Sequence, residues 1–126
     1  MVINVEKVWG KEVWMANTNK YCGKLLYLLK GKKCSLHYHK RKDETFYVYA
    51  GKVLIEIKQK NHTVSTILKP GDSIRIHKKE KHRFMGIQNS LIIEISTNHQ
   101  DSDSYREKNE LSGIVSKETM EKYENV

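Results

Sequence analysis

Four residues in this 126-residue chain have the types and the spacing to hold a metal ion. His37 and His39 stand two apart between Gly31 and Gly51, and Glu44 follows them. On a strand, residues two apart share a face, so the two imidazoles project side by side. Glu44 comes after a polar loop, Lys40–Asp43, and opens the next apolar run, so a hairpin there could return its carboxylate to the imidazoles. A further ligand must come from elsewhere, and His82 is the best placed. It follows Pro70-Gly71-Asp72, the run Ser73–His77 and the polar turn Lys78–Lys81. Three neutral imidazoles and one carboxylate suit a borderline divalent ion such as Mn, Fe, Co, Ni or Zn. A six-coordinate ion would keep two adjacent positions open for water or substrate. Taken alone, a His-x-His pair fits two surface histidines equally well, so the elements that carry it decide its meaning.

Those elements read as strands. Runs rich in β-branched and aromatic residues cover Lys24–Leu29, Thr45–Tyr49, Lys52–Lys58, Thr63–Leu68, Ser73–His77 and Leu91–Ser96. Turn signals separate them at Gly31, Gly51, Lys60-Asn61, Pro70-Gly71, Gly86 and Asn89. Strands at roughly ten-residue spacing predict a sandwich or barrel. Val53, Ile55 and Ile57 alternate with Leu54, Glu56 and Lys58, the period of a half-buried strand. If His37 and His39 face inward, Leu36 and Tyr38 face outward; if Glu44, Phe46 and Val48 face inward, Tyr47 and Tyr49 face outward. Exposed aromatics on a sheet suggest a covering partner, a second copy of the chain or the N-terminal segment. Ser116 is a fitting N-cap for one short C-terminal helix with an acidic first turn.

Composition narrows the classes further. The formal charge is +8, from 23 Lys+Arg against 15 Asp+Glu, which first suggests nucleic acid. Only Arg41, Arg75, Arg83 and Arg106 are arginines, whereas direct base readout leans on Arg. Residues 101–126 hold four cations and seven anions, so the positive charge belongs to residues 1–100. A Lys-rich solvated shell accounts for this, and no nucleic-acid partner is expected. The longest apolar stretch, Leu25–Leu29, is far short of the roughly 20 residues that span a bilayer, so no membrane role is expected. The first residues show neither a basic nor an apolar leader region. Cys22 and Cys34 form no metal or redox pair by spacing and read as structural thiols of a reducing, cytoplasmic compartment.

The spacing resembles the cupin superfamily. Its first motif, G-x5-H-x-H-x(3,4)-E-x6-G, is matched at every fixed position by Gly31, His37, His39, Glu44 and Gly51. Its second, G-x5-P-x-G-x2-H-x3-N, is matched by Gly71 and His82, with His77, Lys79 and Gly86 standing where proline, glycine and asparagine are usual. The departures avoid the ligands and put loop geometry in question instead. The resemblance implies an all-β fold, a double-stranded β-helix (jelly-roll) barrel closing around the metal, here with a short C-terminal helix. Residues 1–126 would form one domain, with a barrel core of about 20–100 and a tail over 101–126. It also implies a homodimer.

Outside the two motifs, Trp9-Gly10-Lys11-Glu12 resembles the opening of small sugar-isomerase cupins, the D-lyxose isomerases and cupin-type mannose-6-phosphate isomerases. In that group a lysine lies on the strand before the His-x-His strand, where Lys24 stands, and a glutamate on the strand after the last histidine ligand, where Glu94 stands. An acidic stretch ending in arginine follows, as in Asp101–Arg106. The resemblance implies a metal-dependent aldose–ketose isomerase acting on D-lyxose/D-xylulose or D-mannose/D-fructose, a 6-phosphate sugar included, with Mn²⁺ the preferred ion. The chemistry is consistent: a divalent ion on the C1 and C2 oxygens acidifies the C2 proton, and a base on one face moves it through a cis-enediol. Glu94, flanked by Ile93 and Ile95, is the expected base, with its pKa raised by burial. Lys24 is expected to pair with it, hold a hydroxyl or relay the proton. Arg75, Arg106, Trp9 and Glu12 are the expected substrate contacts. Two other readings share the fold: a dioxygenase with a three-His, one-Glu iron or copper site and an apolar pocket, and a non-catalytic sugar-binding protein.

Overall fold

The alternating runs become thirteen strands, described here for all 126 residues in a computed structural model. They are β1 (Ile3–Lys7), β2 (Gly10–Asn17), β3 (Cys22–Leu28), β4 (Lys32–Lys33), β5 (His37–His39), β6 (Glu44–Ala50), β7 (Val53–Lys58), β8 (Thr63–Leu68), β9 (Ser73–Ile76), β10 (Lys81–Gly86), β11 (Ser90–Ser96), β12 (Ser104–Arg106) and β13 (Gly113–Ile114). A 3₁₀ turn spans Asp101–Asp103, and one helix, α1, spans Lys117–Tyr123. No helix is long and apolar enough to cross a membrane.

All strand pairs are antiparallel. One sheet runs in the order β1-β2-β3-β11-β6-β9. In the other, β10 pairs with β7, and β7 with β8, while the short β4 and β5 also pair with β10 and are flanked by β13 and β12. The two sheets enclose a core of Trp9, Leu26, Leu28, Phe46, Val48, Val53, Ile55, Ile76, Phe84 and Ile92. This is the expected cupin-type barrel. β-Pairing extends past the expected 20–100 core on both sides, because β1 and β2 extend one sheet while β12 and β13 edge the other.

Two glycines let backbones approach where no side chain fits. A Cβ at Gly10, whose φ is +148°, would overlap the Tyr27 carbonyl, and one at Gly86 would overlap that of Leu29. The expected helix has its cap: Ser116 Oγ accepts from the Thr119 amide at 3.2 Å. Met120 and Tyr123 pack it against Leu54, Met85, Ile87 and Val115. The buried Lys52 ammonium reaches the Glu124 carbonyl at the helix end, at 3.0 Å.

Leu36 is buried rather than outward, because residues 107–110 bridge over it. Its amide donates to Glu110 O and its carbonyl accepts from the Glu107 amide. Tyr38 stacks on Tyr105, with ring centroids 5.1 Å apart. Tyr47 and Tyr49 face outward and are exposed.

Candidate metal centre and its cavity

β5 puts His37 and His39 on one face, and β10 brings His82 into register opposite His37. Each ring donates Nδ1–H to a backbone carbonyl: His37 to Ser35 at 2.8 Å, His39 to Asp103 at 3.0 Å and His82 to Glu80 at 2.9 Å. A carbonyl only accepts, so these bonds assign the proton to Nδ1 and leave Nε2 as a bare lone pair. One nitrogen from each ring lies within 4.8 Å of the others. Glu44, first residue of β6, places Oε2 at 3.2 Å from His82 Nε2 and 3.4 Å from His39 Nε2. Glu44 Oε2 and His82 Nε2 are buried yet have no hydrogen-bond partner. A buried polar atom without a partner is costly, and a divalent ion would satisfy both. The donor set, three imidazole nitrogens and a carboxylate with their outer nitrogens already tied to carbonyls, fits such an ion.

The protonation states agree. Burial and the neighbouring His82 ring push His37 down to about 3, and burial also lowers His39. Burial alone would raise Glu44, but its charged surroundings, the Lys42 ammonium among them, outweigh it and hold the carboxyl well below the usual range. His37 and His39 are therefore neutral and Glu44 is ionised, the forms that bind metal.

A second cluster adjoins the first. Lys42, only 3% exposed, sets its Nζ 2.7 Å from Glu94 Oε2, 3.6 Å from Glu44 Oε1 and 2.9 Å from His99 Nδ1. His99 in turn donates Nε2–H to Asp101 at 2.9 Å. Glu94, 4% exposed, also accepts from Ser96 Oγ at 2.9 Å. The flanking Ile93 and Ile95 do not make an apolar pocket around Glu94, because strand alternation turns them to the opposite face. Lys24 is buried across from Glu94 in the β3–β11 register, but its ammonium goes to Glu12 Oε1 at 3.2 Å and over the Trp14 ring at 4.3 Å. Glu12 also accepts from Trp14 Nε1 at 2.8 Å.

These groups line one cavity of about 730 Å³ together with His37, His39 and Glu44. Trp9 and Arg106 line it too; Trp9 packs edge-on against Phe84, and Arg106 sits opposite His37 in the β12–β5 register. Arg75 does not. It points out of β9 and forms a two-pronged pair with Asp43, at 3.1 and 2.7 Å, because its strand neighbours Ile74 and Ile76 take the inward positions. The sequence reading missed Lys42. Nothing local separates it from Lys40 and Arg41, and only the loop fold turns it inward. That fold depends on Asp103, a buried carboxylate that accepts from the amides of Lys40, Arg41 and Lys42 at 3.0–3.2 Å and is held below its usual pKa by them, against the opposing effect of burial. His99, likewise unflagged by the sequence, is partly buried at the edge of this network.

A sequence profile described as the cupin domain matches residues 24–90, more than half of the chain. The chain belongs to the cupin family. This cupin is similar in fold to several solved structures. KdgF from Halomonas sp. superposes with a TM-score of 0.65 at 22% identity, covering 73% of this chain and 81% of that one. Oxalate decarboxylase from Bacillus subtilis gives 0.73 at 14%, over 83% of this chain and 30% of that one. The capsular polysaccharide assembling protein CapF from Staphylococcus aureus gives 0.70 at 16%, over 84% and 34%. The cupin thus spans about a third of the latter two. No functionally curated protein is a close enough match to count as a relative. Two of the three motif departures lie in a turn: Lys79 adopts a left-handed φ of +69° at the usual glycine, and His77 caps the turn by donating its amide to Glu80 Oε1 at 2.7 Å, whereas Gly86 ends β10 opposite Val53.

Proposed function

We propose that this cupin is a metal-dependent isomerase that interconverts a small aldose and its ketose, D-lyxose/D-xylulose or D-mannose/D-fructose, a 6-phosphate sugar included. The observation that carries the reading is the buried carboxylate of Glu94 facing the same cavity as His37, His39 and Glu44 of the metal-binding cluster. His37, His39, His82 and Glu44 would hold the ion, with Mn²⁺ preferred; when bound, it would polarise the substrate's C1 and C2 oxygens. Glu94 takes the proton from C2 and returns it to C1 while the O2 hydroxyl proton passes to O1, a rearrangement that conserves atoms and needs no redox partner. Lys24 and Glu12 offer a paired donor and acceptor to hydroxyls, Trp9 walls the pocket, and Arg106 stands where an anionic group on the sugar would reach it. The cavity is of ligand size and carries Glu12, Lys24, Lys42, Glu94 and His99 among its walls. That polarity suits a polyol better than the apolar substrate of a cupin dioxygenase.

The test is direct. Protein loaded with Mn²⁺, Co²⁺ or Ni²⁺ is incubated with D-lyxose, D-mannose and mannose 6-phosphate, with and without chelator, and ketose is measured. Metal-dependent ketose formation is expected; no turnover of any aldose with any of the three ions sinks the reading.

We also infer a homodimer in the cytoplasm. The outer face of the six-stranded sheet presents Tyr27, Tyr47, Tyr49 and Ile95, the last two each 62% exposed, beside Leu25, Leu91 and Ile93. A contiguous apolar patch of this kind favours a covering copy. Two free buried thiols suit a reducing compartment.

A further inference from the structure

We propose that Lys42 is a positioning residue. Its ammonium clamps Glu94 toward the histidine cluster while restraining the ligand Glu44, and the His99–Asp101 pair aims it. This rests on the isomerase reading for its kinetic consequence, but the clamp itself is a statement about geometry.

Four observations converge. First, a fully buried ammonium needs several acceptors, and Lys42 has three: Glu94 at 2.7 Å, His99 at 2.9 Å and Glu44 at 3.6 Å. Second, the donors and acceptors run in one direction. Asp101 accepts from His99 Nε2–H, which leaves His99 Nδ1 as an acceptor for Lys42. The imidazole is thus a spacer of fixed tautomer between an exposed carboxylate at the cavity edge and a buried ammonium. Trp14 packs edge-on to the same ring, with centroids 5.1 Å apart. Third, the loop that presents Lys42 is pinned from behind. Asp103 accepts the amides of residues 40–42 and, through its own carbonyl, holds His39. One residue therefore sets both a metal-binding ring and the lysine. Fourth, Glu94 has a second hydrogen bond, from Ser96 Oγ, that together with Lys42 restrains the carboxylate. Without the ammonium, Glu94 and Glu44 would be two buried carboxylates with no cation between them.

The clamp gives Lys42 a role distinct from structural support. A divalent ion and the ammonium are both cations near Glu44, so removing Lys42 cannot weaken metal binding by charge. It frees Glu94 to swing and leaves it facing Glu44 without a cation between them. The loss should therefore fall on kcat and spare both KM and metal affinity.

The experiment uses the full chain. Lys42→Met and Lys42→Arg are compared with wild type for Mn²⁺ affinity, by competition with a fluorescent chelator, and for kcat and KM on whichever aldose wild type turns over. Lys42→Met should lose about 100-fold in kcat, the scale of a misplaced catalytic group, with KM nearly unchanged and Mn²⁺ bound at least as tightly. Lys42→Arg should recover part of the rate. His99→Gln, at one remove, should lose about tenfold. If Lys42→Met does not fold, Lys42→Arg and His99→Gln carry the same comparison. Near-wild-type kcat in Lys42→Met, or a rate loss matched by loss of Mn²⁺ affinity, overturns the proposal. Should wild type turn over no aldose, the isomerase reading falls, and the clamp is judged on the metal-free protein. Lys42→Met and Glu94→Gln should then lower the melting temperature non-additively, the double variant melting no lower than the worse single one. Additive losses would show that the two side chains are not a unit.

Discussion

The two ends of the barrel interior are built from the same strands and have opposite chemistry. Along β3 the inward residues are Cys22, Lys24, Leu26 and Leu28; along β11 they are Ser96, Glu94, Ile92 and Ser90; along β6 they are Glu44, Phe46 and Val48. Register stacks them into layers. Lys24 and Phe46 flank Glu94, and two residues further along Leu26 and Val48 flank Ile92. Every one of these positions is buried. At one end burial is satisfied by packing, and at the other by ion pairs and by imidazoles facing a common point. The packed end is thus the platform, and the polar end can afford a lysine with 1% exposure because its ammonium has the Glu12 carboxylate and the Trp14 ring in place.

The comparison is broken most sharply by exchanging chemistry at one end. Glu94→Gln keeps size and strand geometry, so turnover should fall by about 10³-fold, within the range for loss of a general base, while Mn²⁺ affinity stays within a few-fold of wild type. Near-full activity would remove Glu94 as the base. One layer away, Ile92→Ala should cost about 3 kcal/mol of unfolding free energy through the cavity it leaves. The remaining folded protein should retain its Mn²⁺ affinity. A loss of metal binding at temperatures well below melting would mean that the two ends are not separable.

Acid should act on the polar end first. His37 titrates near 3 when folded against 6.5 ordinarily. The unfolded chain therefore takes up its proton first, and stability falls as pH drops from about 6.5 toward 3. Glu44, held below its usual value of 4.5, adds a further loss below that pH, again because the unfolded carboxylate protonates earlier. The melting temperature of metal-free protein should decline steadily from pH 7 to pH 4, and His37→Gln should flatten the upper part of that decline. The smallest effect is expected in the turn outside both ends. Lys79→Gly relieves a left-handed φ at a residue with a side chain and should stabilise the fold by about 1 kcal/mol, read by chemical denaturation, with no change in metal affinity.

Much of the polar end was legible along the chain. The spacing of His37, His39, Glu44 and His82 follows strand and turn geometry, and all four converge. Glu94 was legible as a cavity carboxylate, but its flanking isoleucines misled as to its surroundings. They describe the other face of the sheet. Arg75, expected at the substrate, misled for a related reason: on β9 it alternates with the inward Ile74 and Ile76 and so points outward, to Asp43. Lys42 was not legible at all, because a cation in the run Lys40–Asp43 looks like any loop cation until three backbone amides close around Asp103, 61 residues away.

The sequence by itself determined the strand periods, the ligand spacing, the capped helix at Ser116 and the family, because these depend on contacts between near neighbours and on fixed offsets. Only the tertiary structure decided which carboxylate meets which ammonium. Lys24 goes to Glu12 although Glu94 is its cross-strand partner, and Lys42 goes to Glu94 from a loop. Such pairings are set by how two sheets close over a cavity, where acceptor reach and burial act together and chain order has no say.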